Sequence, residues 1–317
     1  MKRKVIQIAN STMLVSIPRK WAQKYGVKKG DEIEVEENGN KLVIGADAGV
    51  ELKNIEVDIT GLNRTMIIYY IQNLYRCGYD EIKVIFNSPV VKYLRKNEEV
   101  SVISILHKEA NRLLGYEIIQ QKDNFVIIRD ISTSSIKEFD TVLRRIFLLI
   151  NDVSSDLLKG MSENNKPLLQ TIEEKHDSIT KFISYCLRLL NKYGYPDHRK
   201  TSMFYHILAT LDRSVDVFKY AARDILALKK GVSPKTVNLY KMIDEEVKLL
   251  HQFFFNFDTK KVDELYTKRN EFLSSLNGQK SKMSADDILL ISKLSLVMEL
   301  FLEIEVSRMG VEGPISG

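Results

Sequence analysis

Two carboxylates stand four residues apart in one amphipathic run, Asp212 and Asp216 in LATLDRSVDVFKYA. Phe204, Leu208, Leu211, Val215, Phe218, Ala222 and Ile225 recur in steps of three and four. The run therefore reads as a helix with these residues as its buried seam and the two acids on one flank. Like charges so spaced repel by a few tenths of a kcal/mol unless a cation lies between them. Carboxylates on facing helices of a bundle are ordinary metal ligands, which is one chemistry open to the pair. The other is plainer: Asp216 pairs with Lys219 and Asp212 faces water. No nucleophile or general base accompanies the acids, so a metal-dependent hydrolase has no support and no enzyme is expected.

A second chemistry lies at the other end of the chain. Residues 1–29 hold eight Lys or Arg and no Asp or Glu, whereas residues 31–44 hold five acids and one Lys. Lys2, Arg3 and Lys4 precede a β-rich run, and Arg19 and Lys20 follow Pro18. Bases so gathered neutralise phosphates and release counterions, which gives salt-dependent affinity for nucleic acid. Arg also reads guanine edges bidentately. A merely solvated basic face is the alternative on charge alone.

The remaining candidates are few. His107, His176, His198, His206 and His251 are scattered, without a second His or Cys at ligand spacing, and read as ordinary surface or core residues. Cys77 and Cys186 make neither a disulfide framework nor a zinc site, so the chain reads as cytoplasmic. VIQIANSTMLVSIP is too interrupted by polar residues for a secretory core. No run reaches the roughly twenty apolar residues of a spanning helix, so an integral membrane protein is not expected.

The elements that must position these groups fall into three segments of the 317 residues. Residues 1–46 read as strand, strand, short helix, strand, turn, strand, with Pro18 opening the helix, Gly26 ending it and Asn38-Gly39 as the hairpin turn. So short a unit buries little apolar surface alone and is expected to borrow a partner chain. Residues 50–132 alternate strands and helices, as in a small α/β sandwich. They carry no phosphate loop and read as a structural or ligand-sensing module. Residues 135–310 are helical by pattern: three helices, a break near Gly231, then three more, as in tandem three-helix bundles with repeats at about 135–231 and 232–310. HQFFFNF reads as bundle core. The fold class is multidomain α+β.

QIANSTMLVSIPRKWAQKYGVKKGDEIEVEENGNKLVI resembles the AbrB/SpoVT swapped-hairpin DNA-binding domain. The resemblance rests on the Ser-Thr before the strand, the VSIP strand end, the base after the proline, the short amphipathic helix and GVKKGDEIEV. It implies a β-barrel half completed by a second chain in an intertwined homodimer. It also implies DNA contacts from Lys2, Arg3, Lys4, Arg19 and Lys20, with Trp21 packing the helix onto the barrel.

Leu211-Asp212-Arg213-Ser214-Val215-Asp216, set late in the third helix, is similar to the Leu-(Glu/Asp)-Arg-x-x-Asp motif of PhoU phosphate-uptake regulators. EEKHDSI supplies the acid pair of the family's second helix, Glu174 and Asp177. This resemblance implies iron or zinc held by Glu174, Asp177, Asp212 and Asp216. The second repeat, VMELFLEIEVSRM, keeps Glu299 and Glu303 without the Arg or the closing Asp. VDITGLNRTMIIYYIQNLYRCGYDEIKVIF is similar to the linker of archaeal-type proteins that join an AbrB-like head to a PhoU-like tail. The expectation is a dimeric transcriptional regulator linked to phosphate uptake or signalling. Its alternative is a scaffold that does not bind DNA and docks on a phosphate transporter or sensor kinase.

Overall fold

The computed structural model describes residues 2–8, 12–38, 41–45 and 53–313. It divides into two compact units, residues 1–53 and 54–317. The expected boundary between residues 46 and 50 lies outside the described residues.

In the first unit, β1 (Val5–Ile8) pairs antiparallel with β2 (Thr12–Val15), Val5 opposite Val15 and Ile6 opposite Leu14. A short helix, α1 (Arg19–Lys24), follows. Pro18 is its N-cap rather than a first-turn residue, and the Pro18 carbonyl accepts from the Ala22 N–H at 3.0 Å. Gly26 ends it at φ +67°, a left-handed conformation that glycine adopts without cost. β3 (Glu34–Asn38) and β4 (Lys41–Gly45) then form an antiparallel hairpin. Gly39 of its expected turn, like Asn10 and Ser11, lies outside the described residues. No residue of this unit whose burial is described is buried. Trp21 is half-buried against Tyr25, their ring centroids 5.1 Å apart.

The second unit begins with a mixed sheet. β5 (Asn54–Asp58), α2 (Arg64–Arg76) and β6 (Glu81–Ile85) make a parallel strand–helix–strand crossover. A small hairpin, β7 (Val90–Tyr93) and β8 (Glu98–Ser101), leads into α3 (Val102–Asn111). β9 (Tyr116–Gln121) and β10 (Phe125–Asp130) complete a four-stranded sheet in the order β5-β6-β10-β9. The period-two pattern places Ile82, Val84, Val126 and Ile128 in the core while their neighbours stay partly exposed. The hairpin takes up Glu98–Ser101, immediately before the helix. The helix begins only after Ser101, whose hydroxyl accepts from Ser104 N–H.

Six long helices follow: α4 (Phe139–Ser162), α5 (Lys166–Tyr193), α6 (Thr201–Ala227), α7 (Pro234–Phe255), α8 (Thr259–Gln279) and α9 (Ala285–Glu312). Their starts follow local rules. Asn165, Ser233, Asp258 and Ser284 accept from first-turn N–H groups, and proline occupies the first turn of α5 and α7. α5 packs between α4 and α6 and also carries α2, so the α/β module and the helices share one core. α6 lies along α9, and α4 along α7. α8 buries only Leu265 and Phe272. The expected seam of α6, from Phe204 to Ile225, is buried throughout. Among the described residues, no helix is long and apolar enough to cross a membrane.

One buried cation ties α5 to the sheet module. Arg188, fully buried, donates to the carbonyls of Tyr75 (2.9 Å) and Tyr79 (2.7 Å) and to the carboxylates of Asp80 and Asp130. Its guanidinium lies 4.9 Å from the centroid of the Tyr75 ring and 5.3 Å from that of Tyr116. Gly115 is required just before β9, where its φ is +84° and an added Cβ would collide with Asp130 and Ser132.

Candidate functional site

Three helices of the second unit turn polar flanks toward one another. On α5, Glu173, His176, Asp177 and Thr180 share a face by helical spacing. On α6 the same logic aligns Asp212, Asp216, Lys219 and Arg223. On α2 it aligns Arg64, Ile68, Gln72 and Arg76, with Tyr69 beside them. Tyr93 and Arg95 reach in from the β7–β8 hairpin, and Arg112 from the end of α3. Together they enclose a cavity of about 340 Å³.

Every carboxylate of the cavity is matched by a cation. Arg76 donates to Asp212 at 2.9 Å and also to the Ser184 hydroxyl. Arg112 reaches Asp177 at 2.8 Å, Arg223 reaches Glu173 at 2.5 Å, and Lys219 reaches Asp216 at 2.5 Å. His176 is buried at the centre, its Nδ1 3.0 Å from Asp177 and its Nε2 3.0 Å from Asp216. Burial is the largest influence on this imidazole and opposes its charge, but the hydrogen bonds to the two carboxylates outweigh it and raise its pKa. Burial likewise acts to raise the pKa of Asp216, yet hydrogen bonds from His176 and Lys219 hold it at about 2.

This arrangement does not fit iron or zinc. Asp177, Asp212 and Asp216 are each already neutralised by Arg, Lys or imidazole, and a cation among them would face Arg76 and Lys219. Among the described residues, no three His, Cys, Asp or Glu groups are gathered to hold a metal ion. Glu174 lies exposed on α5 and does not line the cavity; its neighbour Glu173 does. Glu299 pairs with Arg269 at 2.6 Å, and Glu303 lies 3.7 Å from His206.

The sequence reading missed His176, which it set aside for want of a second His or Cys. Its one local signal was adjacency to Asp177 at the spacing of the α5 polar face. Arg64, Arg76, Arg95 and Arg112 were missed because the fold, not local spacing, brings them to the cavity.

The expected DNA-contacting residues lie in the first unit. Lys2, Arg3 and Lys4 precede β1, and Arg19 and Lys20 open α1; all five are exposed. None of the five pairs with a carboxylate among the described residues.

Residues 6–46 match the model of the family described as antidote-toxin recognition MazE, bacterial antitoxin. No curated protein and no solved structure matches the chain. The matched segment runs from β1 through β4, so the N-terminal unit is similar to domains of the MazE/AbrB type.

Proposed function

We propose that this protein is a dimeric, cytoplasmic, DNA-binding transcriptional regulator and not an enzyme. The carrying observation is the MazE-type unit, whose five exposed bases stand in a stretch without a single acid. Lys2, Arg3, Lys4, Arg19 and Lys20 contact phosphates and base edges, and affinity arises largely from counterion release. Dimerisation follows from the unit's makeup. Val5, Ile6, Ile8, Met13, Leu14 and Val15 are all exposed on paired strands, which a stable soluble fold tolerates only when another surface covers them. A second copy supplies that surface and doubles the basic face.

The helical part is the signalling half in this reading. Its support is the Leu211–Asp216 motif on α6, set against the acid-bearing face of α5, within two successive trios of helices like those of PhoU regulators. Phosphate uptake or phosphate signalling is the process so indicated, with a transporter or sensor kinase as its upstream contact.

Binding of the full-length chain to its own upstream duplex, read by fluorescence anisotropy over a salt series with a scrambled duplex alongside, tests the reading. Sequence-selective binding that weakens steeply with salt supports it. Equal, weak binding to both duplexes refutes it and leaves the first unit as a dimeriser.

A further inference from the structure

We propose that the cavity between α2, α5 and α6 binds an organic phosphate of mononucleotide size. The charge balance gives the first reason. Six Lys or Arg side chains and four Asp or Glu side chains line the cavity, so it holds an excess of two positive charges before His176 is counted. The excess is localised. Glu173, Asp177, Asp212 and Asp216 are each engaged by Arg223, Arg112, Arg76 and Lys219 in turn. Arg64 and Arg95 make no salt bridge among the described residues, and the one carboxylate whose pKa Arg64 lowers, Glu109, lies outside the cavity lining. A phosphate monoester carries about −1.5 to −2 at neutral pH and cancels that pair, whereas a single carboxylate leaves one charge over.

Geometry gives the second reason. Arg64 is held with its guanidinium over the Tyr93 ring, 4.4 Å from the centroid, which leaves its N–H edges free to grip an oxyanion in a two-pronged fork. Size and surface give the third. The volume of about 340 Å³ falls within the roughly 300–1,000 Å³ of small-organic sites and is about ten times the ~30 Å³ of one liquid water. An inorganic oxyanion would leave most of it to solvent. Tyr69 lines the same cavity, is 51% exposed, and carries no ring or cation over its face among the described residues. It offers a platform for the ring of a nucleobase. The assignment does not depend on DNA binding by the first unit.

Isothermal titration of the full-length protein with AMP, GMP, inorganic phosphate and adenosine is the test, with no DNA present. The expected result is saturable one-site binding of at least one nucleotide, inorganic phosphate weaker by about tenfold or more, and no adenosine binding. Arg95→Ala, in an exposed turn where it supports no packing, and Arg64→Ala are each expected to weaken nucleotide binding about tenfold or more, as loss of a charged hydrogen bond does. Failure of both nucleotides to bind overturns the proposal. So does equal affinity for inorganic phosphate and nucleotide, adenosine binding as well as AMP, or unchanged affinity in a folded Arg95→Ala protein.

Discussion

The guanidinium of Arg188 on α5 lies 2.7 Å from the carboxylate of Asp130 at the end of β10, and both groups are out of water. Asp80 adds a second carboxylate at 2.9 Å, itself shared with Lys192 at 2.6 Å. Two buried acids thus depend on a cation that belongs to another layer of the fold. Replacing Arg188 by Leu takes from Asp130 its buried cation and leaves Asp80 with Lys192, and removing one partner of such a network costs roughly 3–5 kcal/mol. Urea denaturation of Arg188→Leu against the wild type measures this. Adding Asp130→Asn to that variant is expected to restore part of the loss, because the stranded charge is then gone. No recovery in the double variant would mean that Arg188 acts through packing against Tyr75 and Tyr116 instead.

A second buried pair predicts a pH dependence. Glu246 on α7 is raised to about 9, by burial first and then by the charge of Glu305. Glu305 on α9 is raised to about 7 by burial, against the opposing pull of Arg269. Both carboxyls are protonated in the folded state at pH values where the unfolded chain has lost its protons. Their contribution to stability is therefore full below the unfolded pKa of about 4.3. It falls as pH rises through the folded values of about 7 and about 9. Thermal melts between about pH 5 and pH 9 should show declining stability for the wild type and a flatter profile for Glu246→Gln. The variant should gain several degrees relative to the wild type at the alkaline end. Parallel profiles would refute the assignment.

Local chemistry made much of this fold legible, and tertiary placement hid the rest. Ser233-Pro234 signalled the start of α7, and Gly26 the end of α1, because caps and stops act over one turn. The seam of α6 was readable because its period is that of a helix against a core. The β7–β8 hairpin was not, since two four-residue strands carry too little alternation to outweigh the helical pattern just after them. The cavity was half legible. Asp212 and Asp216 announced themselves by spacing, but their partners Arg76 and His176 come from α2 and α5, and no periodicity along α6 reports that. The same pairings turned an expected metal cluster into an ion-paired pocket.

The exposed bases of the first unit make a graded prediction. Each phosphate contact adds about one unit to the salt slope of DNA affinity. Arg19→Ala with Lys20→Ala should therefore reduce the slope by about two and weaken binding at low salt far more than at high salt. These residues lie at the surface, so circular dichroism should be unchanged. An unaltered slope would remove both residues from the interface.

The strands of that unit decide its assembly. Ile6 and Leu14 oppose each other on one face of the β1–β2 pair, Val5 and Val15 on the other. All four are exposed, at 44–62% of their surface. A ribbon apolar on both faces cannot be covered by a single flat partner; it needs chain on each side, as interleaved hairpins provide. Glutamate at position 14 puts a charge where that partner must pack, and a buried unpaired carboxylate is far costlier than the apolar contact it replaces. Leu14→Glu is thus expected to convert the full-length protein from dimer to monomer in sedimentation equilibrium. DNA affinity should fall with it, because half of the basic face is lost. A Leu14→Glu protein that stays dimeric would place the dimer contact outside the first unit and sever dimerisation from the MazE-type domain.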